Sequence, residues 1–213
     1  MHELWPLFQL RVETSRVSLR LPIESEIARL ATVAADGVHQ PHERPFLNPW
    51  AEGSPTDRAR FVLQEHWSNL GSWSVDDWQL GLGVFVDGEP VGMATIRASD
   101  FPVDREVNTS SWLGIPHQGQ GTGTAARIAV LSLVFDALDA TSALSHVFAD
   151  NHASQAVSRK LGYVHDGITT DRRGEESVIS DRLRMTHEVW ETLTGPEATV
   201  SGFETCRPMF GLD

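Results

Sequence analysis

Three glycines in five residues, Gly119-Gln120-Gly121-Thr122-Gly123, separate an apolar strand-like stretch (Ser111-Trp112-Leu113-Gly114-Ile115) from a long apolar-striped segment. Few folds accept that order. The glycines let the backbone turn tightly and present consecutive N–H groups. A helix that starts directly after them adds its unpaired first-turn amides and about half a positive charge. Strand, glycine loop and helix N-terminus together build an anion cradle, whose natural ligand is a phosphate or pyrophosphate. A glycine loop can also be a plain tight turn, so the neighbouring sequence has to name the ligand.

Along the chain, Val17, Leu19 and Leu21 alternate as a strand ended by Pro22, and Ile27, Leu30, Ala31 and Ala34 space a helix from Glu24 to Ala35, stopped by Gly37. Residues 38–55 form a proline-punctuated loop carrying His39, His42, Phe46 and Trp50, either a pocket wall or a packed connection. Ser54-Pro55 opens a second helix, with Ser as N-cap, Pro at the first position and Asp57 in the first turn, running to about Leu70. Trp78–Val86, Pro90–Arg97 and Glu106–Leu113 read as an antiparallel meander, with Asp87-Gly88 as its hairpin turn and a loop beginning at Asp100-Phe101-Pro102. After the glycine loop, Thr124, Ile128, Leu131, Phe135 and Leu138 mark one helical face. A buried strand (Leu144–Ala149), a helix capped by Asn151 and stopped by Gly162, a strand pair (Tyr163–Thr170, Ser177–Met185) around Asp171-Arg172-Arg173-Gly174, and a short helix capped by Thr186 follow. The tail from Gly195 holds Val200, Phe203, Cys206, Met209 and Phe210, too apolar for a free end. These elements predict one α+β domain over residues 1–213, with a core of about 10–190 and the tail 195–213 packed on it.

Composition excludes some partners. The formal net charge of −12, from 29 acids against 17 bases, makes a poor general binder of nucleic acid and suits a cationic substrate. Cys206 is the only cysteine, which fits a reducing cytoplasm. The N-terminus lacks the basic-then-apolar order of a signal peptide and no 18-residue apolar run occurs, so neither export nor a membrane is expected.

Three phosphate chemistries compete for the loop. A nucleotide P-loop needs Lys-Ser/Thr after its last glycine, and Thr124-Ala125 stands there. A dinucleotide fingerprint needs a third glycine where Thr124 lies, and a first parallel strand before it instead of an antiparallel meander. The third fits the whole second half: Gln118-x-x-Gly121-x-Gly123, Asn151-x-x-Ser154 and Leu161-Gly162-Tyr163 occur in the order found in the GNAT superfamily of N-acyltransferases. The chain resembles the branch that includes ribosomal-protein N-terminal acetyltransferases, whose first strand is similar to Arg16-Val17-Ser18-Leu19-Arg20. Phe101-Pro102, Ser111-Trp112-Leu113-Gly114 and Cys206-Arg207-Pro208-Met209-Phe210-Gly211 further resemble an actinobacterial subgroup that includes a mycobacterial succinyl-CoA-using member.

That resemblance implies a mostly antiparallel sheet split around acyl-CoA, with helices on both faces. It places the pyrophosphate on Gln118, Gly119, Gln120, Gly121, Thr122, Gly123 and Thr124. Pantetheine would pair with the backbone around Leu113, Gly114 and Ile115 and with Asn151 and Ser154. Ser158 stands where many relatives carry a tyrosine acid, so Ser154 or Ser158 would donate to the departing thiolate. Relatives often carry a base as Glu on the strand before the loop; here that region is Asn108-Thr109-Ser110, leaving Asp100, Glu106 and His117 as substitutes, with His39 and His42 from the loop. Arg127, Arg159 and Lys160 are candidates for the ribose phosphate, and Arg44, Arg97 and Arg105 for a succinyl carboxylate. The expected activity is transfer from acetyl-CoA, ahead of succinyl-CoA on superfamily frequency, to a protein N-terminus, lysine or small amine, without a metal. The rival of another class is an acyl-CoA-binding sensor without turnover. The apolar tail and many tryptophans permit a homodimer.

Overall fold

In the computed structural model, which describes residues 3–173, 175–193 and 198–212, the chain runs β1 (Arg11–Glu13), β2 (Ser18–Arg20), α1 (Glu24–Asp36), α2 (Pro55–Gly71), β3 (Asp77–Val86), β4 (Glu89–Ser99), α3 (Phe101–Asp104), β5 (Glu106–Leu113), α4 (Thr122–Ser132), β6 (Ser142–Phe148), α5 (His152–Lys160), β7 (Val164–Arg173), β8 (Glu176–Thr186), α6 (His187–Thr192) and β9 (Thr199–Ser201). The strands form one sheet in the order β7-β8-β6-β5-β4-β3-β2-β1-β9. Every neighbouring pair is antiparallel except β5 and β6. This is the α+β sheet with flanking helices that the sequence predicts.

Local chemistry sets the elements. Ser54 and Asp57 cap α2 reciprocally, Asp57 N donating to Ser54 Oγ at 3.2 Å and Ser54 N to Asp57 Oδ2 at 3.2 Å. Glu26 caps α1 by accepting from Ile23 N (3.0 Å) while Arg20 grips its carboxylate at 2.5 and 2.6 Å. The strand expected over 17–21 is only three residues long and has a partner in β1. Between them Thr14 Oγ1 accepts from Arg16 N (3.2 Å) and Val17 N (3.0 Å), a side-chain-closed turn that holds Arg16 outward. The loop expected at Asp100-Phe101-Pro102 is instead the start of α3, because Asp100 takes φ 50 and its carbonyl accepts from Val103 and Asp104.

The sheet separates two apolar clusters. On one face α4 packs with Val107 and Leu113 of β5, Val157 of α5 and Leu161 just after it, and the tail residues Phe203, Cys206, Phe210 and Leu212. Tail burial explains why α4 is buried along most of its surface rather than on the single stripe expected. The helix then widens into a π-turn over Leu133–Ala137, where Leu138 N donates to Leu133 O at 2.9 Å. The tail is tied in by β9 on β1, by Trp73 Nε1 donating to Met209 O (2.9 Å), and by Phe210 edge-on to Trp78 at 4.9 Å. Residues 195–197 and 213 of the expected tail, and Gly174 of the expected turn, lie outside the described residues. On the other face α1 and α2 enclose Met93 and Trp112. There Trp50 stacks on Phe61 (5.0 Å) and meets Phe46 (5.2 Å) and Trp112 (5.7 Å), pinning the 38–55 loop to the sheet. Each such aromatic pair contributes about 0.5–1.5 kcal/mol beyond its burial.

Candidate functional site

The parallel ladder between β5 and β6 covers only Glu106–Asn108 against Ser142–Leu144, although β5 continues to Leu113 and β6 to Phe148. One further bond, Thr109 Oγ1 donating to Leu144 O at 3.0 Å, closes the base of the gap. Above it the two strands part. The glycine loop lies at the open end, because β5 leads into it. α5 also starts there, because β6 is parallel to β5.

Backbone pairing decides which groups of β5 face the gap. Gly114 N donates to Val91 O (2.9 Å), so Gly114 and Val91 form a hydrogen-bonded pair of the β4–β5 ladder. Such pairs alternate along an antiparallel ladder. Hence Trp112, Ser110 and Asn108 direct their N–H and C=O at β4, while Leu113, Ser111 and Thr109 turn theirs towards the gap. The resemblance pointed to the backbone around Leu113, Gly114 and Ile115. The amides of Gly114 and Ile115 are taken by Val91 O and Gly37 O (3.2 Å), the Thr109 amide belongs to the last rung of the β5–β6 ladder and Leu113 O accepts from Gln118 Nε2, so the backbone left to the gap is Thr109 O, Ser111 and the Leu113 amide.

In the loop, Gly119 and Gly121 take φ +70 and +87, the left-handed region that favours glycine. α4 begins at Thr122, and its first intrahelical bond is Ala125 N to Gly121 O (3.0 Å). Among the described residues, the six consecutive amides of Gly119, Gln120, Gly121, Thr122, Gly123 and Thr124 have no backbone or side-chain acceptor. Gln118 serves the loop differently from the expectation. Its Nε2 donates to Val38 O and Leu113 O, both at 2.8 Å, and so fixes the loop to the sheet and to the end of α1. Arg16 approaches from the β1–β2 turn, Nη1 donating to Gln120 O at 3.3 Å. The six free donors, a helix N-terminus and this guanidinium together make a site for a doubly charged anion.

On α5, Asn151 Oδ1 accepts from Ser154 N (3.1 Å) and caps the helix, leaving its Nδ2 without a partner among the described residues. Ser158 is fully buried and its hydroxyl has no partner there either. An orphan hydroxyl inside a protein is costly, and a ligand group reaching it would relieve that cost.

The remaining expected residues are dispersed. Asp100 and Glu106 lie near the closed end of the gap. β5 spans seven steps of about 3.3 Å, which puts Glu106 roughly 23 Å from Leu113. Glu106 is also engaged, by Arg184 and by the Ser142 hydroxyl (2.7 Å). His117 lies in the turn after β5, and His39 Nδ1 sits on Gln40 O (2.8 Å) with its ring edge against Phe46. Arg127 is buried against the Tyr163 ring, which removes it as a surface contact for the ribose phosphate; Arg159 and Lys160 end α5, roughly 12 Å along the helix from its cap. Arg105 lies over Phe101 and bonds Leu138 O (3.4 Å), and Arg44 faces Glu52 (3.5 Å) and Glu176 (3.9 Å). Arg97 is exposed on β4, in register with Asn108. Among the described residues no group of three His, Cys, Asp or Glu side chains could hold a metal ion.

Sequence reasoning missed three features. Arg16 is 104 positions from the loop it touches; only a basic residue in a tight turn hinted at it. His146 breaks the apolar run of β6; it is exposed and its Nδ1 lies 3.3 Å from Thr169 Oγ1 on β7, a contact no local pattern signalled. A roof also crosses the open end: Arg173, at the tip of the β7–β8 hairpin, donates from Nη1 to Arg44 O at 3.1 Å.

The chain belongs to the GNAT acetyltransferase family: the profile of the acetyltransferase (GNAT) domain matches residues 16–164. Solved structures of similar fold include Mycobacterium smegmatis RimJ in complex with CoA-disulfide (TM-score 0.65, 20% identity, 93% of this chain and 91% of that one). Another is the ribosomal alpha-N-protein acetyltransferase RimL in complex with coenzyme A (0.62, 15%, 81% and 93%). A third is the microcin C7 self-immunity acetyltransferase MccE in complex with acetyl-CoA and AMP (0.61, 15%, 81% and 93%). At these identities the likeness is one of fold.

Proposed function

We propose that this chain transfers an acetyl group from acetyl-CoA to a primary amine, by direct attack of the amine on the thioester in a ternary complex. The observation that carries the reading is the run of six unpaired amides from Gly119 to Thr124, set at the mouth of two diverging strands. In this reading the pyrophosphate lies on those amides beside Arg16, and pantetheine runs down the gap along Ser111, the Leu113 amide and the Thr109 carbonyl. Asn151 Nδ2 and Ser154 border it from α5. The Ser158 hydroxyl serves the sulfur, donating to the thiolate as the C–S bond breaks. Asp100 and Glu106 drop out of the catalytic set on position. Family membership and the CoA complexes of RimJ and RimL support the donor class, and the acetyl-CoA complex of MccE supports the acyl group. Cys206, buried with its thiol pushed up by desolvation, suits a reducing compartment such as the cytoplasm.

Thermal unfolding with CoA, acetyl-CoA and succinyl-CoA tests the reading. Stabilisation by CoA and acetyl-CoA is expected, since a ligand at 100 times its Kd adds about 2.7 kcal/mol. Stabilisation by none of the three would overturn it. Binding without thiol release for any amine would leave a sensor.

A further inference from the structure

Asn108 and Trp112 lie four residues apart on β5, so both are on the face where Trp112 joins the α1–α2 cluster. Asn108 pairs with Leu144 on β6, and Phe148 lies four residues further on. Phe148 therefore shares that face and stands above the last rung, where the strands have parted. The Arg173 guanidinium lies over its ring, with Cζ 5.3 Å from the centroid. Arg173 Nη1 also donates to Arg44 O at 3.1 Å, in the loop that Trp50 pins to Trp112. One guanidinium thus touches β6 on one side of the gap and, on the other, the loop anchored to β5.

The hydrogen bonding of this guanidinium is incomplete. Its side chain is only 15% exposed, yet Nε is buried without an acceptor among the described residues. Nη2 faces Glu176 Oε2 at 3.8 Å, beyond hydrogen-bond length. Arg44 is no better served, with Glu52 3.5 Å from its Nε and the same Glu176 oxygen 3.9 Å from its Nη1. By contrast Arg182 and Arg184, on the same face of β8, hold Asp166 at 3.0 and 2.9 Å. A guanidinium drawn out of water with N–H groups unpaired is costly, and an anion that reaches it relieves the cost. Glu176 does so only loosely, and with its side chain 66% exposed it is free to turn to water.

We propose that Arg173, with Arg44 beside it, binds a carboxylate of the amine acceptor, so that this chain selects amines that carry a carboxylate close to the reacting nitrogen. The inference rests on the N-acyltransferase reading. The acceptor carboxylate takes the place of Glu176 between Nη2 of Arg173 and Nη1 of Arg44. The unpaired Nε beside Nη2 supplies a second, parallel bond, the fork that suits a carboxylate. Charge sets the class of anion. Two arginines face two glutamates here, Glu52 and Glu176, so a singly charged group replaces Glu176 evenly, whereas a doubly charged phosphate meets net repulsion. The formal net charge of −12 leaves an anionic acceptor dependent on this pair of cations. From Phe148 down to the last rung at Leu144 is four strand steps, roughly 13 Å, which bounds the distance from carboxylate to amine. A free amino acid fits within it, and so does a peptide with an acidic residue near its N-terminus.

The test uses the full chain with acetyl-CoA, thiol release as the readout, and two matched pairs of amines. One pair is phenylalanine and phenylalaninamide. The other is the C-terminally amidated hexapeptide Ser-Ala-Glu-Ala-Ala-Ala and its Ser-Ala-Gln-Ala-Ala-Ala counterpart. In at least one pair the carboxylate member should have the higher kcat/KM by about 10–100-fold, carried mainly by KM, and the pair that shows it names the source of the carboxylate. Arg173→Gln should bring the two members within about threefold, and Arg173→Lys, which keeps the charge but not the fork, should fall between. Arg44→Gln keeps the carbonyl that Arg173 bonds and gives a second, milder variant, in which the preference should drop about three- to tenfold. The CoA-induced thermal shift should match the wild type in all three variants. No preference in either pair, or a preference that survives Arg173→Gln, overturns the inference and leaves transfer standing. Loss of the CoA shift in Arg173→Gln and Arg44→Gln alike assigns the arginines to the donor and overturns it too. A wild type that keeps its CoA shift but acetylates none of the four amines overturns both the inference and the transfer reading.

Discussion

Replacing Gly121 by glutamate and, separately, by alanine isolates the charge of the cradle from its backbone. Gly121 sits at φ +87, where an L side chain costs about 1–2 kcal/mol. For a chain of this length that is about 2–8 °C in Tm, and both variants share it. A Cβ built there meets only Arg16 Nη1, at 3.9 Å, so alanine adds no clash. Glutamate alone adds a negative charge. Against each of two pyrophosphate charges about 5 Å away, the repulsion is about 0.8 kcal/mol at the dielectric of water and about 3 kcal/mol at an effective value of 20. The smaller figure, taken twice, already gives about 1.7 kcal/mol, or roughly 20-fold in Kd. The new carboxylate also lies within reach of Arg16 and would draw that cation from the phosphates. Calorimetric titration of CoA into both variants should therefore show glutamate binding at least about 20-fold more weakly than alanine in 50 mM salt. The gap should narrow in 500 mM salt as screening shortens the reach of the charges. Equal affinities for the two variants would refute the placement of the pyrophosphate on this loop.

Two further perturbations probe buried polar groups. Ser158→Ala removes a buried hydroxyl without a partner, so Tm should hold or rise slightly while acetyl-CoA-dependent thiol release falls about tenfold; an unchanged rate would separate Ser158 from the sulfur. Glu65 on α2 has its pKa raised from the ordinary 4.5 by burial, against a weak opposing hydrogen bond from Gln79 (3.4 Å). A raised folded-state value means its stabilising share is complete below pH 4.5 and is lost as pH climbs through the folded value. Glu65→Gln should accordingly melt above the wild type at pH 7, with the difference closing towards pH 4; a variant less stable by the same amount at both pH values would contradict this.

Much of this molecule is legible in local sequence, and the reason is the range of the forces involved. Capping by Ser54, Asn151 and Thr186 acts over three residues, and each cap forms where its sequence places it. The Asp87-Gly88 turn and the Glu106–Leu113 strand depend on neighbours in the chain, and both occur at the expected positions. The glycine loop is likewise local: the helix that starts directly after it leaves its first-turn amides without an intrahelical acceptor.

Tertiary structure decides what lies across the sheet. Which backbone groups of β5 face the gap depends on the single bond from Gly114 to Val91 on another strand, and that bond turns Ser111 and the Leu113 amide to the gap. Glu106 and Asp100 are near Leu113 in sequence, yet an extended strand carries them to the closed end, because each residue adds over 3 Å of length. Arg16 reaches Gln120, and Thr169 reaches His146, only because sheet order brings strands from distant parts of the chain together. The sequence thus determined that the chain would present an anion cradle ahead of a helix. The partner cation and the free edge of the split were left to register and strand order, which no local pattern encodes.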